Sequence, residues 1–231
     1  MEAVVLAGGL GTRLRTLVSD MPKPMAPVAG RPFLSYLLDY LVRQNIRKII
    51  LATGYKREKI YEYYGDSFKE AELIYSEEQE PLGTGGALKQ ALHYVTSADV
   101  FVLNGDTFFN VDLQELMGFH LENQAHVTLS LKEMNNFDRY GTVEVVNHRV
   151  VKFNEKKYTA NGKINGGVYV VNAHCFDLVD LPSKFSFEVD FMQAYTDKLK
   201  IFAFESKGYF IDIGVPEDYL KAQSELIKFA L

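Results

Sequence analysis

The apolar run at residues 3–7, A-V-V-L-A, passes straight into glycine at positions 8, 9 and 11, and no other stretch restricts the fold so tightly. Five apolar residues without alternation read as a strand buried on both faces, which calls for a parallel sheet with helices on either side. The glycines then place a tight loop at the strand's carboxyl end, where backbone N–H groups can converge on an anion. Arg13 and Lys23 follow, one a forked planar cation and the other a point charge on a flexible stem. This combination suits a chain of phosphates. It matches neither common phosphate loop: a dinucleotide pattern counted from Gly9 would need glycine at Leu14, and no G-K-[ST] closes the loop. On these residues alone, a tight turn beside two solvated cations stays open.

The chain then repeats the order strand, helix, strand. Leu34, Leu37, Leu38 and Leu41 have helical spacing within residues 33–44, K-I-I-L-A-T at 48–53 reads as a second buried strand, and a helix at 57–64 stops at Gly65. With a third strand near 72–75, these elements predict parallel strands, right-handed crossovers and ligands at the strands' carboxyl ends. The string E-E-Q-E-P-L-G-T-G-G-A-L at 77–88 reads as a turn with Thr84 capping a helix to about Tyr94; Gly83, Gly85 and Gly86 would also let a flat base lie against the backbone. A fourth buried strand at 99–103 ends in Asn104, Gly105 and Asp106, so that carboxylate either meets a ligand or makes an Asx turn toward a helix at 112–123. Beyond an alternating strand at 125–132, short β segments at 141–146, 149–153 and 164–171 predict a smaller β-rich lobe over the sheet. On charge alone Glu155 and Lys156 are solvated hairpin residues, and Asn165 to Gly167 is a β-bulge. A helix at 187–199 starts near Glu188, read as a helix-dipole partner rather than a sugar contact. Asp212 lies between two isoleucines, where a lone carboxylate is costly unless paired or bound to metal. Pro216 opens the last helix.

Composition removes several classes. A single cysteine, Cys175, makes no internal disulfide, and the five histidines show no metal-ligand spacing, which points to a reducing compartment without a zinc site. No apolar run approaches the ~18 residues of a membrane span, and the N-terminus enters a strand directly, so a cytoplasmic protein with no membrane partner is expected. The net charge of −5 argues against a general nucleic-acid binder.

Taken together, G-G-L-G-T-R at 8–13, P-K-P at 22–24, L-G-T-G-G at 82–86, L-N-G-D at 103–106, F-N-E-K at 153–156, N-G-G-V-Y at 165–169 and I-D-I-G at 211–214 resemble the sugar-nucleotide pyrophosphorylases. These nucleotidyltransferases join a nucleoside triphosphate to a sugar 1-phosphate. The resemblance implies an α/β, Rossmann-like, mostly parallel sheet flanked by helices (GT-A-like), with a small β-rich sugar-binding lobe. It implies one domain over residues 1–231, in which 1–134 and 200–231 hold the nucleotide and 135–199 the sugar phosphate. Leu6, Ala7, Gly8, Gly9, Gly11, Thr12 and Arg13 would wrap the triphosphate, and Glu80, Gly83, Thr84 and Asn104 the nucleoside. Arg13, Lys23 and Asp106 would carry catalysis, with Asp106 and Asp212 binding Mg²⁺. Lys23, Gly141, Glu155, Lys156, Asn165 and Gly166 would hold the sugar phosphate.

The string L-G-T-G-G-A-L and the passage P-K-P-M-A-P-V-A-G-R-P-F resemble the guanylyltransferase branch that serves bacterial surface-polysaccharide synthesis. GTP and a heptose 1-phosphate are the substrates this implies; mannose 1-phosphate, or UTP, CTP or dTTP, are the alternatives. No residue of the base loop by itself dictates a hydrogen-bond pattern. Three departures stand out: Gly85 replaces a common alanine, no tryptophan precedes Asp212, and Val215 stands where threonine is usual. A glycosyltransferase would want D-x-D, which Asp106-Thr107-Phe108 does not provide, and a non-catalytic sensor would tend to have lost Arg13, Lys23, Asp106 or Asp212. The β-rich lobe and last helix are where a homodimer would form.

Overall fold

The computed structural model describes residues 1–9 and 21–230. Gly11, Thr12 and Arg13, all expected at the triphosphate, lie outside the described residues. The chain opens with β1 (Glu2–Leu6), the two-residue strands β2 (Pro27–Val28) and β3 (Arg31–Pro32), and α1 (Phe33–Arg43). Then come β4 (Lys48–Thr53), α2 (Arg57–Tyr64), β5 (Ser67–Phe68), β6 (Ala71–Glu77) and α3 (Gly83–Ala91). The middle of the chain supplies β7 (Asp99–Asn104), β8 (Thr107–Phe109), α4 (Leu113–Glu122) and β9 (Val127–Phe137). Last are β10 (Val143–Val146), β11 (Arg149–Phe153), β12 (Thr159–Asn172), β13 (Ile201–Glu205), β14 (Phe210–Asp212) and α5 (Pro216–Glu225).

Ten strands form one mixed sheet in the order β10-β11-β13-β9-β12-β7-β1-β4-β6-β5. Strands β7, β1, β4 and β6 are mutually parallel, and β12 runs antiparallel to both β7 and β9. Alternate side chains of β1 and β4 enter different apolar clusters: Ala3, Val5, Ile49 and Leu51 one, Val4, Ile50 and Ala52 the other. Both faces of the parallel block are therefore covered, the physical reason these strands read as unbroken apolar runs. The chain moves outward from β1 through β4 to β6, then returns to the other side of β1 as β7. That reversal opens a crevice at the carboxyl ends of β1 and β7, the usual ligand position in an open α/β sheet.

Three expectations change. The β10–β11 hairpin, turned by Asn147 and His148 with φ of 49° and 63°, continues the main sheet at its far edge instead of resting over it. α3 begins at Gly83, so the glycines lie inside the helix, and Thr84 is not its cap. The helix expected over 187–199 is a π-helical segment, Phe187–Gln193, followed by turns. Its wide register shows in the Phe191 N–H bond to Ser186 and the Ala194 N–H bond to Val189, each spanning five residues. Buried Phe187 and Phe191 stack face to face beneath it at 5.8 Å between centroids. That aromatic packing overrides the ordinary helical period.

Candidate active site

β7 ends at Asn104, and the chain crosses β1 there: the Gly105 N–H donates to the Leu6 carbonyl at 3.0 Å. A Cβ on Gly105 would sit 2.5 Å from that carbonyl, so only glycine lets the strands approach this closely. Asp106 follows at once. Asp212 arrives from far along the chain on β14, which pairs with β8 so that Asp212 is in register with Thr107. The Ile213 N–H donates to the Asp106 carbonyl at 3.0 Å and ties the two acidic positions together. Lys23, in the 3-10 turn Lys23–Met25, points its ammonium between them, with Nζ 2.5 Å from Asp106 Oδ2 and 3.7 Å from Asp212 Oδ1.

Burial raises the carboxyl of Asp212 above the usual carboxylate range, and the neighbouring Asp106 adds to the rise. Lys23, the Gly214 N–H and Arg139 pull the other way. The Gly214 N–H reaches Asp212 Oδ1 at 2.7 Å, and the Tyr140 hydroxyl donates to Oδ2 at 3.4 Å. Two crowded carboxylates of this kind gain from a further positive charge. All their donor atoms are oxygen, which fits a hard cation, and Mg²⁺ is habitually held by one or two carboxylates with substrate phosphates and water. Among the described residues no group of three or more His, Cys, Asp or Glu converges, so these supply only part of such a shell.

Two cavities meet here. The first, about 480 Å³, is lined by Leu6, Gly8, Gly9, Lys23 and Ala52 on the β1 side and by Glu78, Pro81, Gly83, Thr84 and Ala87 on the α3 side. The second, about 390 Å³, lies under the antiparallel half, between Arg139 to Val143, Phe153 to Lys156, and Asp212, Gly214 and Val215. Asn104, Asp106 and Glu188 line both.

Most positions expected from the sequence fall on these walls. Leu6, Gly8, Gly9, Gly83, Thr84 and Asn104 line the first cavity, and Gly141, Glu155, Lys156 and Asn165 the second. Six need correction. Ala7 is fully buried behind the wall, its N–H bonded to the Ala52 carbonyl at 2.8 Å. Glu80 is exposed and lines neither cavity. At the bulge Gly167, with φ of +72°, faces the second cavity, whereas a Cβ on Gly166 would strike the Phe109 ring at 2.3 Å. Lys23 lines the first cavity and is engaged by both aspartates. Finally, Gly85 and Gly86 leave no open face for a base: added Cβ atoms would lie 2.2 Å from the Phe185 ring and 2.6 Å from the Ser183 carbonyl.

Glu188, expected to serve the helix dipole, stands in the first turn of the π-helical segment and has further partners. Its Oε1 accepts from the buried Tyr169 hydroxyl at 2.9 Å and from Asn165 Nδ2 at 3.1 Å, at the junction of the cavities. Glu78, Arg139 and Tyr140 also enter the walls unforeseen. Arg139 is ion-paired with Asp218 in the first turn of α5, which fastens the loop bearing Tyr140 and Gly141 across the second cavity. Glu78 had one available signal: it stands one residue past β6, at the carboxyl end of a parallel strand.

A crevice at the switch point of an open α/β sheet, with paired carboxylates and a lysine beside it, fits a nucleotidyltransferase. The nucleotidyl transferase family model matches residues 2–228, and the chain belongs to that family. Among its relatives is the D-glycero-alpha-D-manno-heptose 1-phosphate guanylyltransferase of Aneurinibacillus thermoaerophilus, 50% identical over 226 residues, with 98% of each chain covered. The enzyme of the same name from Campylobacter jejuni is 49% identical over 220 residues, covering 95% of this chain and 97% of its own. The crystal structure of HddC from Yersinia pseudotuberculosis complexed with GMP-PN superposes with a TM-score of 0.85 at 37% identity, covering 97% of this chain and 98% of that one. Among the described residues no helix is long and apolar enough to cross a membrane.

Proposed function

We propose that this protein transfers a guanylyl group from GTP to D-glycero-α-D-manno-heptose 1-phosphate, forming the GDP-sugar and pyrophosphate. The observation that carries this reading is the common wall: Asn104, Asp106 and Glu188 belong to both cavities, so ligands in the two touch at one point. The names of relatives about half identical over nearly the whole chain support the choice of guanylyl and heptose.

In the reaction an oxygen of the sugar phosphate bonds to the α-phosphorus of GTP, and the bond from that phosphorus to the β-phosphate bridging oxygen breaks. The electron pair leaves on pyrophosphate. The attacking oxygen is ionised near neutral pH, so no protein nucleophile is required. The difficulty is bringing two anions together, and catalysis is positioning with charge neutralisation. The first cavity takes GTP, with residues 8–12 and Arg13 assigned to the departing phosphates. The second takes the sugar phosphate: Lys156 for its charge, Glu155, Asn165 and Glu188 for its hydroxyls. Lys23 places one positive charge beside the reacting phosphates while holding Asp106 and Asp212 in place. Those two carboxylates would hold Mg²⁺, which supplies charge neutralisation to the phosphates when bound. In this reading residues 1–134 with 200–231 are the nucleotide part and 135–199 the sugar-phosphate part.

The test is a matrix of GTP, ATP, UTP, CTP and dTTP against heptose, mannose and glucose 1-phosphates, read by pyrophosphate release. GTP with the heptose 1-phosphate is expected to give the highest kcat/KM. Preference for another triphosphate would remove the base assignment, and silence in every well would remove the function.

A further inference from the structure

Asp218, Arg139, Tyr140 and Asp212 form a continuous polar chain along one side of the second cavity. Arg139 and Tyr140 belong to the link between β9 and β10, and the two aspartates to the stretch that runs from β14 into α5. Arg139 is ion-paired with Asp218, and its Nη2 also donates to the Tyr140 hydroxyl at 3.4 Å. An arginine has donors only, so the Tyr140 oxygen accepts from it and keeps its own proton for another partner. That partner is Asp212, whose Oδ2 lies 3.4 Å away. A phenol with an ordinary pKa of about 10 is protonated at neutral pH, so this donor is always available. The ring is held on two sides, edge-on to Phe210 of β14 at 6.1 Å between centroids and beside Phe137 at 6.4 Å. The other oxygen of Asp212 accepts the Gly214 N–H at 2.7 Å. The plane of this carboxylate is therefore set by its own chain on one oxygen and by Tyr140 on the other. Asp106 and Asp212 share Lys23 and repel each other, and fixed donors behind Asp212 keep the pair open toward a cation.

We infer that Tyr140 is a positioning residue for the metal: through Asp212 Oδ2 it orients the carboxylate that would bind Mg²⁺ with Asp106, and the Arg139–Asp218 ion pair in turn orients Tyr140. The inference rests on the proposed reading of Asp106 and Asp212 as the metal carboxylates. A hydrogen-bond partner behind a metal-binding side chain fixes its direction, and losing such a partner typically lowers metal affinity or activity about 10–100-fold. The rival role for Tyr140 is a contact to the sugar phosphate, since it also lines the second cavity. That role would show in KM for the sugar phosphate and leave metal affinity untouched.

The test titrates Mn²⁺, which suits the same oxygen donors as Mg²⁺, into the full-length protein carrying one equivalent of α,β-methylene GTP, an analogue that cannot release pyrophosphate. Free Mn²⁺ is read by electron paramagnetic resonance. Tyr140→Phe keeps the ring and removes the donor; it is expected to raise the Mn²⁺ dissociation constant about 10-fold. Asp218→Asn lies outside both cavities and breaks a partly exposed ion pair, so it should raise that constant about threefold, with Asp218→Glu restoring most of the loss. The double variant Tyr140→Phe/Asp218→Asn should match Tyr140→Phe alone, because both act through one hydroxyl. In pyrophosphate release the Mg²⁺ concentration for half-maximal rate should rise in parallel, with KM for the sugar phosphate unchanged. A melting temperature unchanged in EDTA would show that the variants are folded. Wild-type Mn²⁺ affinity in Tyr140→Phe, where Asp212→Asn weakens it, would overturn the inference and leave the proposed function standing; so would an effect confined to KM for the sugar phosphate. If Asp212→Asn also binds Mn²⁺ as tightly as the wild type, the metal assignment falls and the inference with it.

Discussion

The two cavities are made by different halves of one sheet, and they present different chemistry. The first sits at the ends of parallel strands, with Leu6, Ala52, Pro81 and Ala87 giving it apolar walls. The second is framed by antiparallel strands and the Arg139–Asp218 strap, and charged side chains of both signs line it. In the proposed reading the first takes the nucleotide, whose base is a flat ring that apolar walls can hold largely by shape. A sugar phosphate, with hydroxyls all round and an anionic end, needs many separate partners. In the proposed reading these come mostly from the turns beside the antiparallel strands: Arg139, Tyr140, Glu155 and Lys156 line the cavity from outside any strand.

The contrast breaks first at the shared wall. Asp106→Asn and Asp212→Asn should each lower kcat by two orders of magnitude or more, about 3 kcal/mol in the barrier, with little change in melting temperature. Near wild-type turnover in either would mean that the cavities do not meet at the chemistry. Arg13→Ala is expected to fall in the same range.

Lys156→Ala sharpens the division between the halves. Steady-state kinetics should show KM for the sugar phosphate rising about 10–100-fold while KM for GTP is unchanged. Equal effects on both substrates would erase the separation.

Gly85→Ala probes packing on the nucleotide side alone. The added methyl meets the Phe185 ring at 2.2 Å, a clash expected to cost about 2 kcal/mol in chemical denaturation and to raise KM for GTP more than KM for the sugar phosphate.

The smallest effect lies at the opposite end of the sheet. Burial alone would raise the carboxyl of Glu2, but Lys48, Ser97 and Thr96 outweigh it and bring the group from 4.5 down to about 2. A carboxylate more acidic in the folded state stabilises above its unfolded value, and that contribution is lost as pH falls from about 4.5 toward 2. Glu2→Gln should thus cost about 1 kcal/mol at pH 7 and flatten the melting temperature's fall between pH 5 and 2, with both KM values unchanged. A shift in either KM would link that distant strand end to the cavities.

Much of this was legible in one dimension. Unbroken apolar runs at 3–7, 48–53 and 99–103 announce parallel strands because burial on both faces leaves no polar alternation to conceal them. The same strands carry Gly8, Asn104 and Asp106 at their carboxyl ends, so the position of a phosphate-sized site came with the strand assignment. Motif resemblance added Asp212 and Lys156, far apart in sequence. Three-dimensional packing alone decided the rest. Whether a glycine opens space for a ligand or for a neighbour depends on what lies across from it, and Gly85 faces Phe185, a hundred residues away. Whether Glu188 serves a helix end or a cavity depends on Tyr169 and Asn165 reaching it from another strand. Glu78 looked like one more charge in an acidic string until burial against Gly8 left one of its oxygens facing the cavity. Local patterns report which residues avoid water; the partner that a buried polar atom meets is a property of the folded chain, because contacts between distant segments set it.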